Sequence, residues 1–403
     1  MRRVVITGMG SLSALGLDAA TCWNAMREGH QGIAPISRID ASTLKARIAA
    51  EVRGFDPLQH FSEKQLMLLD RVSQFALVAA REAVKQSGID FSADELGDRT
   101  ACIIGTGVGG ETTHDEASRR LYGENARPHP LSIVRLMSNA PACQVSIEFK
   151  LTGPAFAVVS ACASSNHAMA QAFHMVRSGQ VDAAVTGGTE ACITLGCAKA
   201  WEAMRVLADD TCRPFSKQRR GLVLGEGAAI FVLETLEHAQ ARGANILAEF
   251  AGAGMSADAA DIVFPSEVGA ARAIERALSD AKLNVADVGY INAHGTGTPA
   301  NDPTETAAIR RVFGAYADGL AVSSTKSMHG HALGAAGAIE LVAAIGTLRD
   351  GVIAPTMNFV DPDPACDLDY VPNTAREKTV RAVLSNSFAF GGLNAVIALK
   401  QAP

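Results

Sequence analysis

Two apolar spacings alternate along the chain, one of period two and one of period three to four, and together they predict an α/β protein. Residues 4–7 read as a strand ending in Gly8-Met9-Gly10, and a helix follows from about Asp18, a ready N-cap. Residues 66–85 carry apolar side chains at helical spacing and stop at Ser87-Gly88. Residues 101–104 form a second strand, which runs into Gly105-Thr106-Gly107-Val108-Gly109-Gly110. Residues 155–159 read as a short buried strand, and 163–177 as a helix of small residues. Further strands fall at 181–186 and within 221–233. From 246 the pattern begins again, with strands at 246–253, 288–292 and 320–322 and helices at 266–281, 302–313 and 332–348. The last strands lie near 380–384 and 395–399.

One echo runs through this order. Around Cys162 an apolar strand leads into Ser160, a small-residue helix and Arg177-Ser178-Gly179. Around Lys326 an apolar strand leads into Ser323-Ser324-Thr325, a small-residue helix and Arg349-Asp350-Gly351. The repetition predicts two α/β halves of similar topology, 1–250 and 251–403.

Composition narrows the function. The chain has 403 residues, 48% of them hydrophobic, enough for two domains or one double-sized unit. A net charge of −6 with no strongly basic segment speaks against nucleic acid. No secretory signal region and no apolar run long enough to span a bilayer stands out, so a cytoplasmic protein without membrane insertion is expected. The eight cysteines include no C-x-x-C pair and lie mostly in apolar surroundings, which disfavours a disulfide framework or a zinc site.

Candidate chemistry gathers at strand ends. Cys162 sits at a strand-to-helix turn, where helix N–H groups favour the thiolate and suit it to covalent catalysis. The competing reading is a buried structural cysteine. Gly105–Gly110 formally matches a dinucleotide fingerprint, but the acidic, polar stretch after it suits pyrophosphate badly, and a tight loop is the better reading. His294 lies in the loop Asn292-Ala293-His294-Gly295-Thr296-Gly297-Thr298, at a strand end where α/β folds place ligand-binding groups. It is either functional or a structural loop histidine. Lys326 follows an apolar strand and needs buried partners. His331 opens a helix, which keeps its imidazole neutral. His329 reads as a loop residue. Glu340, on an otherwise apolar helix, calls for a buried cation such as Lys326, unless it is simply exposed. Gly391-Gly392 lets backbone approach a ligand, so an N–H there can pair with that of Cys162 as an oxyanion hole; a plain glycine turn is the alternative. Phe388 and Phe390 could wall an apolar channel. No triad acid stands beside either histidine, which disfavours a hydrolase. Two neutral imidazoles instead suit a developing enolate, with a thiolate holding an acyl group.

With these residues in place, the sequence resembles the elongating β-ketoacyl-acyl-carrier-protein synthases of the FabF type, in the thiolase superfamily. The likeness runs from Val4-Val5-Ile6-Thr7-Gly8-Met9-Gly10 to Gly391-Gly392-Leu393-Asn394, and three motifs carry it: the Cys162 turn, the His294 loop, and Lys326 with His331. Nodulation-type synthases and the ketosynthases of polyketide and aryl-polyene pathways share these motifs. The resemblance implies a thiolase-like fold of two α/β halves in αβαβα layers, a homodimer, and decarboxylative condensation of an acyl thioester with malonyl-acyl-carrier protein. It calls for no nucleotide cofactor and no catalytic metal. Cys162 would carry the acyl chain, and His294 and His331 would stabilise the enolate. Lys326 would support them with Glu340 as its partner, and the N–H groups of Cys162 and Phe390 would form the oxyanion hole. Phe390 would also gate the site, Thr296 and Thr298 would bind the pantetheine arm, and Val108 would line the acyl pocket. The segment 62–71 is less basic than the family's usual for docking an acidic carrier protein; Lys64, Arg71 and Arg205 are the docking candidates. Ala389 stands where these enzymes usually have Gly. The two other readings are a non-autonomous ketosynthase or chain-length subunit of a heterodimer, and a thiol hydrolase.

Overall fold

The computed structural model describes Met1–Pro403. Ten strands carry the fold: β1 (Val4–Ser13), β2 (Thr100–Gly105), β3 (Ala155–Val158), β4 (Ala183–Glu190), β5 (Gly227–Thr235), β6 (Ala248–Ala257), β7 (Val288–Asn292), β8 (Ala321–Ser323), β9 (Ala382–Ala389) and β10 (Leu393–Lys400). Their order across the sheet is β8-β7-β9-β10-β6-β1-β5-β4-β2-β3. Counted outward from the centre, each half has the strand order first, fifth, fourth, second, third. The halves join where Val4, Val5 and Ile6 of β1 pair antiparallel with Phe250, Glu249 and Ala248 of β6. The echo between Cys162 and Lys326 is therefore topological: β3 and β8 are the third and outermost strands of their halves.

Eight helices build the layers: α1 (Ala19–Glu28), α2 (Arg71–Ser87), α3 (Ala140–Phe149), α4 (Ser164–Ser178), α5 (Leu195–Ala203), α6 (Glu267–Ala281), α7 (Asn301–Phe313) and α8 (Ala336–Asp350). The helices after β3 and β8, α4 and α8, touch each other and strands of both halves, so they form the central layer. Helix α2 packs on β1 and β5 from outside, and α6 on β6 and β10. The result is the αβαβα sandwich. Helix α8 is buried from Ala336 to Leu348, which is why its sequence is apolar all round.

Several elements differ from the sequence reading, each for a physical reason. β1 does not stop at Gly8-Met9-Gly10 but continues to Ser13. A Cβ on Gly8 or Gly10 would lie 2.1 Å from the carbonyl oxygen of Ala83 or Ala79, so the glycines let α2 lie against the strand rather than turn the chain. Gly254 of β6 does the same for α6, its Cβ position being 2.1 Å from Ala273 O. The helix expected at 66–85 is two: a short turn at Glu63–Leu66, then α2, capped by the Asp70 carboxylate accepting from Val72 N–H at 2.9 Å. The helix expected at 332–348 begins as a 3-10 turn at Leu333–Ala335 and becomes α-helical only at Ala336. Strand β3, expected to be buried, is an open sheet edge with Phe156 38% exposed. Helix α5 and the helical segments between 111 and 149 give no clear periodic signal and were not expected.

No helix is long and apolar enough to cross a membrane.

Candidate active site

The chemistry sits at the carboxyl ends of β3, β7, β8 and β9, where an α/β sheet leaves room for ligand. Cys162 follows β3 in the short turn Ala161–Ala163 that precedes α4, and it is 6% exposed. Ala161 holds a left-handed φ of 50°, a strained conformation for a residue with a Cβ, which throws the next side chain out of the turn. Ser164 secures this elbow: its hydroxyl accepts from Ser160 N–H at 2.9 Å and donates to Ala161 O at 2.6 Å. Burial pushes the Cys162 thiol up to about 12, with the Lys326 ammonium pulling the other way and the Glu190 carboxylate adding to the rise. The backbone N–H groups of Cys162 and Phe390 face the sulfur and favour its thiolate. Burial therefore opposes the thiolate that the helix terminus and the two N–H groups favour.

His294 leaves β7 in a loop pinned from α7. Glu305 accepts from the N–H groups of His294 and Gly295, each at 2.8 Å, and from Asn386 Nδ2 of β9 at 3.1 Å. Asp302 accepts from Gly297 N–H at 3.2 Å and from Phe215 N–H at 2.7 Å. Lys326, wholly buried after β8, is the cation the sequence called for. Its ammonium donates to His294 O at 2.6 Å, lies 3.5 Å from His294 Nδ1, and is ion-paired to the buried Glu340. An ammonium has no lone pair, so Nδ1 must accept and the ring proton sits on Nε2. His294 lines the pocket and presents to it an N–H donor.

His331 meets His294 edge-on, with ring centroids 5.3 Å apart and planes at 82°. It is not at a helix N-terminus: its backbone is clamped as a strand bridge, donating to Val223 O at 2.7 Å and accepting from Gly225 N–H at 3.0 Å. Both imidazoles are held neutral, their pKa well below 6.5, by burial first and by the Lys326 charge second. The neutral His331 expected from the sequence is there, for a different reason. His329 points away, its Nε2 2.9 Å from Thr325 Oγ1, and does not line the pocket. Burial raises Glu340 to about 7, against the pull of Lys326.

The pocket over Cys162 is walled by His294, His331, Phe388, Ala389, Phe390, Trp201, Leu222, Thr296 and Thr298. Thr296 and Thr298 share a hydrogen bond at 2.9 Å at its rim. Phe388 lies 6.2 Å from the His294 ring, and Phe390 stacks on Trp201 at 5.8 Å. Ala389 is outside the positive-φ region that Gly391 and Gly392 occupy, so its methyl costs no backbone strain. Val108 does not line this pocket; it is 40% exposed on the glycine loop. That loop is tight, as expected, and the anion it cradles is the protein's own Glu190, which leaves no place for a pyrophosphate.

Of the three docking candidates, Lys64 and Arg205 are exposed. Arg71 is not. It is buried against Glu226, with Nε–Oε2 3.0 Å and Nη2–Oε1 2.6 Å, and its guanidinium lies 4.4 Å from the Phe75 ring. Its partner comes from 155 residues away, a pairing the local sequence does not reveal. Sequence reasoning also missed Trp201, Glu190 and Glu305. The acids at 302 and 305, one helical turn apart beside a Gly-rich loop, were the available signal for the last.

A cysteine elbow, two neutral imidazoles and a buried lysine at the strand ends of a doubled α/β fold make up a thiolase-like architecture. Residues 1–239 match the family model of the beta-ketoacyl synthase N-terminal domain, and 247–360 that of its C-terminal domain. The chain belongs to the beta-ketoacyl synthase family. It is 50% identical to nodulation protein E of Rhizobium sp. (strain N33), over 99% of both chains. It is 44% identical to 3-oxoacyl-[acyl-carrier-protein] synthase 2 of Staphylococcus aureus (strain N315), over 99% of this chain and 98% of the relative. The ishigamide ketosynthase/chain length factor superposes with a TM-score of 0.95 at 37% identity, covering 100% of both chains.

Proposed function

We propose that this protein is a 3-oxoacyl-[acyl-carrier-protein] synthase, running a two-stage decarboxylative condensation. The observation that carries the reading is the pairing of Cys162, set under the N–H groups of Cys162 and Phe390, with two neutral histidines. In the first stage the Cys162 sulfur attacks an acyl-carrier thioester, the two N–H groups hold the tetrahedral oxyanion, and the carrier thiol departs with the thiol proton. In the second, malonyl thioester binds along Thr296 and Thr298 with its thioester carbonyl at His294 and His331. Loss of CO2 leaves an enolate, whose oxygen accepts from the Nε2–H of His294. The enolate carbon attacks the Cys162 thioester, the C–S bond breaks as product forms, and the departing thiolate takes a proton from solvent to restore the thiol. The halves 1–250 and 251–403 divide this work, the first supplying the nucleophile and the second the His-Lys-His set.

The test is product formation. Purified protein given acyl- and malonyl-carrier proteins should yield 3-oxoacyl product only when both are present. Thioester cleavage without malonyl dependence would indicate a thiol hydrolase. Activity appearing only on addition of a second ketosynthase-like chain would indicate a heterodimer subunit.

The substrates arrive on an acyl carrier protein in this reading, with the exposed Lys64 and Arg205 as docking candidates. The protein acts in the cytoplasm as a homodimer. Support for the dimer comes from β3: it is the open edge of the sheet, with Phe156, Val159 (55% exposed) and the neighbouring Ile147 (70%) uncovered, whereas β8 at the opposite edge is buried. Pairing of two β3 strands about a two-fold axis would bury this face and set the partner beside Cys162. Light scattering should give twice the 42.0 kDa chain mass, and Phe156→Asp should shift it to the monomer. A monomeric wild type would overturn this assignment.

A further inference from the structure

Glu190 ends β4 with its side chain fully buried, and four donors from other segments converge on its carboxylate. Thr106 Oγ1 donates to Oε1 at 3.1 Å and Val108 N–H at 3.3 Å; Gly107 N–H donates to Oε2 at 2.7 Å and Gly334 N–H at 2.8 Å. Three of these donors lie in the glycine loop after β2. The fourth lies in the turn three residues beyond His331. The two backbones nearly touch across the carboxylate, since a Cβ on Gly334 would sit 2.1 Å from the Gly107 nitrogen. The glycine loop is tied in turn to the nucleophile's strand, Thr106 N–H donating to Val158 O at 3.1 Å, four residues before Cys162.

The Glu190 carboxylate thus lies between the glycine loop, which is tied to the strand that delivers Cys162, and the turn that follows His331. We propose that Glu190 is a positioning residue for condensation, locking the first half's nucleophile segment to the second half's His331 turn. The inference rests on the condensing-enzyme reading above. The site calls for a group that only accepts: four donors face two oxygens, and an ionised carboxylate is the one side chain of this size with no donor of its own. A glutamine would turn its NH2 toward one pair of donors. Burial raises the Glu190 carboxyl to about 7, so at pH 8.5 it is charged and opposes ionisation of Cys162, which gives the neutral variant a second signature.

The test compares wild type with Glu190→Gln in the full-length protein. It measures decarboxylation of malonyl-acyl-carrier protein, alkylation of Cys162 by iodoacetamide at pH 8.5, and thermal melting. We expect kcat for decarboxylation to fall at least tenfold with KM within twofold, because the pantetheine-binding threonines are untouched, while Cys162 alkylates at least threefold faster. Wild-type decarboxylation overturns the proposal, and so does an equal fall in decarboxylation and alkylation, which would mean a generally disordered site. If Glu190→Gln does not fold, Thr106→Val carries the test by removing one donor: a loss of at least threefold in decarboxylation kcat with alkylation retained supports the proposal, and a wild-type kcat overturns it. A wild-type protein that alkylates at Cys162 but never decarboxylates malonyl substrate would overturn the condensing-enzyme reading, and this inference with it.

Discussion

His294→Ala will lose decarboxylation of malonyl-acyl-carrier protein by about a hundred- to a thousandfold, the loss that follows removal of one preorganised donor to a developing oxyanion. The loss will fall on kcat. The Lys326 ammonium, 3.5 Å from Nδ1, fixes the ring proton on Nε2, so His294 is a donor ready for the enolate before substrate arrives. Alanine leaves Cys162 and its two N–H groups in place, so transfer of an acyl group to the cysteine should continue. Acylation and decarboxylation measured separately check this. Loss of acylation alone, with CO2 release intact, would reverse the roles assigned to the two halves. Because burial and Lys326 keep both imidazoles neutral well below pH 6.5, decarboxylation should not decline as pH falls from 7 to 6 through protonation of these rings.

Lys326→Ala will damage folding as well as chemistry. Lys326 and Glu340 are both wholly buried and ion-paired. Removing the cation leaves a buried carboxyl, already raised to about 7 and with one oxygen unpartnered, that must either stay charged without a partner or take up a proton; breaking a buried pair in this way costs about 3–5 kcal/mol. Lys326→Ala should therefore melt far below wild type, and Lys326→Ala with Glu340→Gln should recover part of the loss, since no buried charge is then left without a partner. The double variant should regain stability without regaining decarboxylation, because nothing then fixes the His294 tautomer. Denaturant titration of the three proteins checks the first part and CO2 release the second. Equal stability of the single and double variants would show that the pair is not what holds this layer together.

The candidate site was legible because its residues stand within or at the ends of apolar runs. Cys162, His294 and Lys326 follow short apolar strands, Phe388 and Phe390 bracket the end of β9, and Glu340 is the one acid in the buried stretch 336–348 of α8. What escaped depends on contacts between distant segments. Arg71 has the composition of a surface residue and becomes a core residue only because Glu226 is brought to it. Glu190 and Glu305 resemble ordinary acids at element ends; their work is to accept N–H groups from loops that the topology delivers. Strand β3 is apolar yet uncovered in the single chain, so its composition alone predicted burial. Gly8 and Gly10 read as a turn because the approach of α2 is not written beside them. The helix terminus beside Cys162 is local and visible in sequence, whereas the burial that opposes its ionisation comes from both halves.

The central claim is that Cys162 carries the acyl chain, and intact mass after incubation with a panel of acyl-carrier proteins tests it most directly. The account predicts a gain equal to one acyl chain per polypeptide, released on addition of malonyl-acyl-carrier protein and absent from Cys162→Ala. The chain loaded fastest will identify what the pocket accepts. A gain that persists in Cys162→Ala, or no gain with any acyl group, would contradict the account.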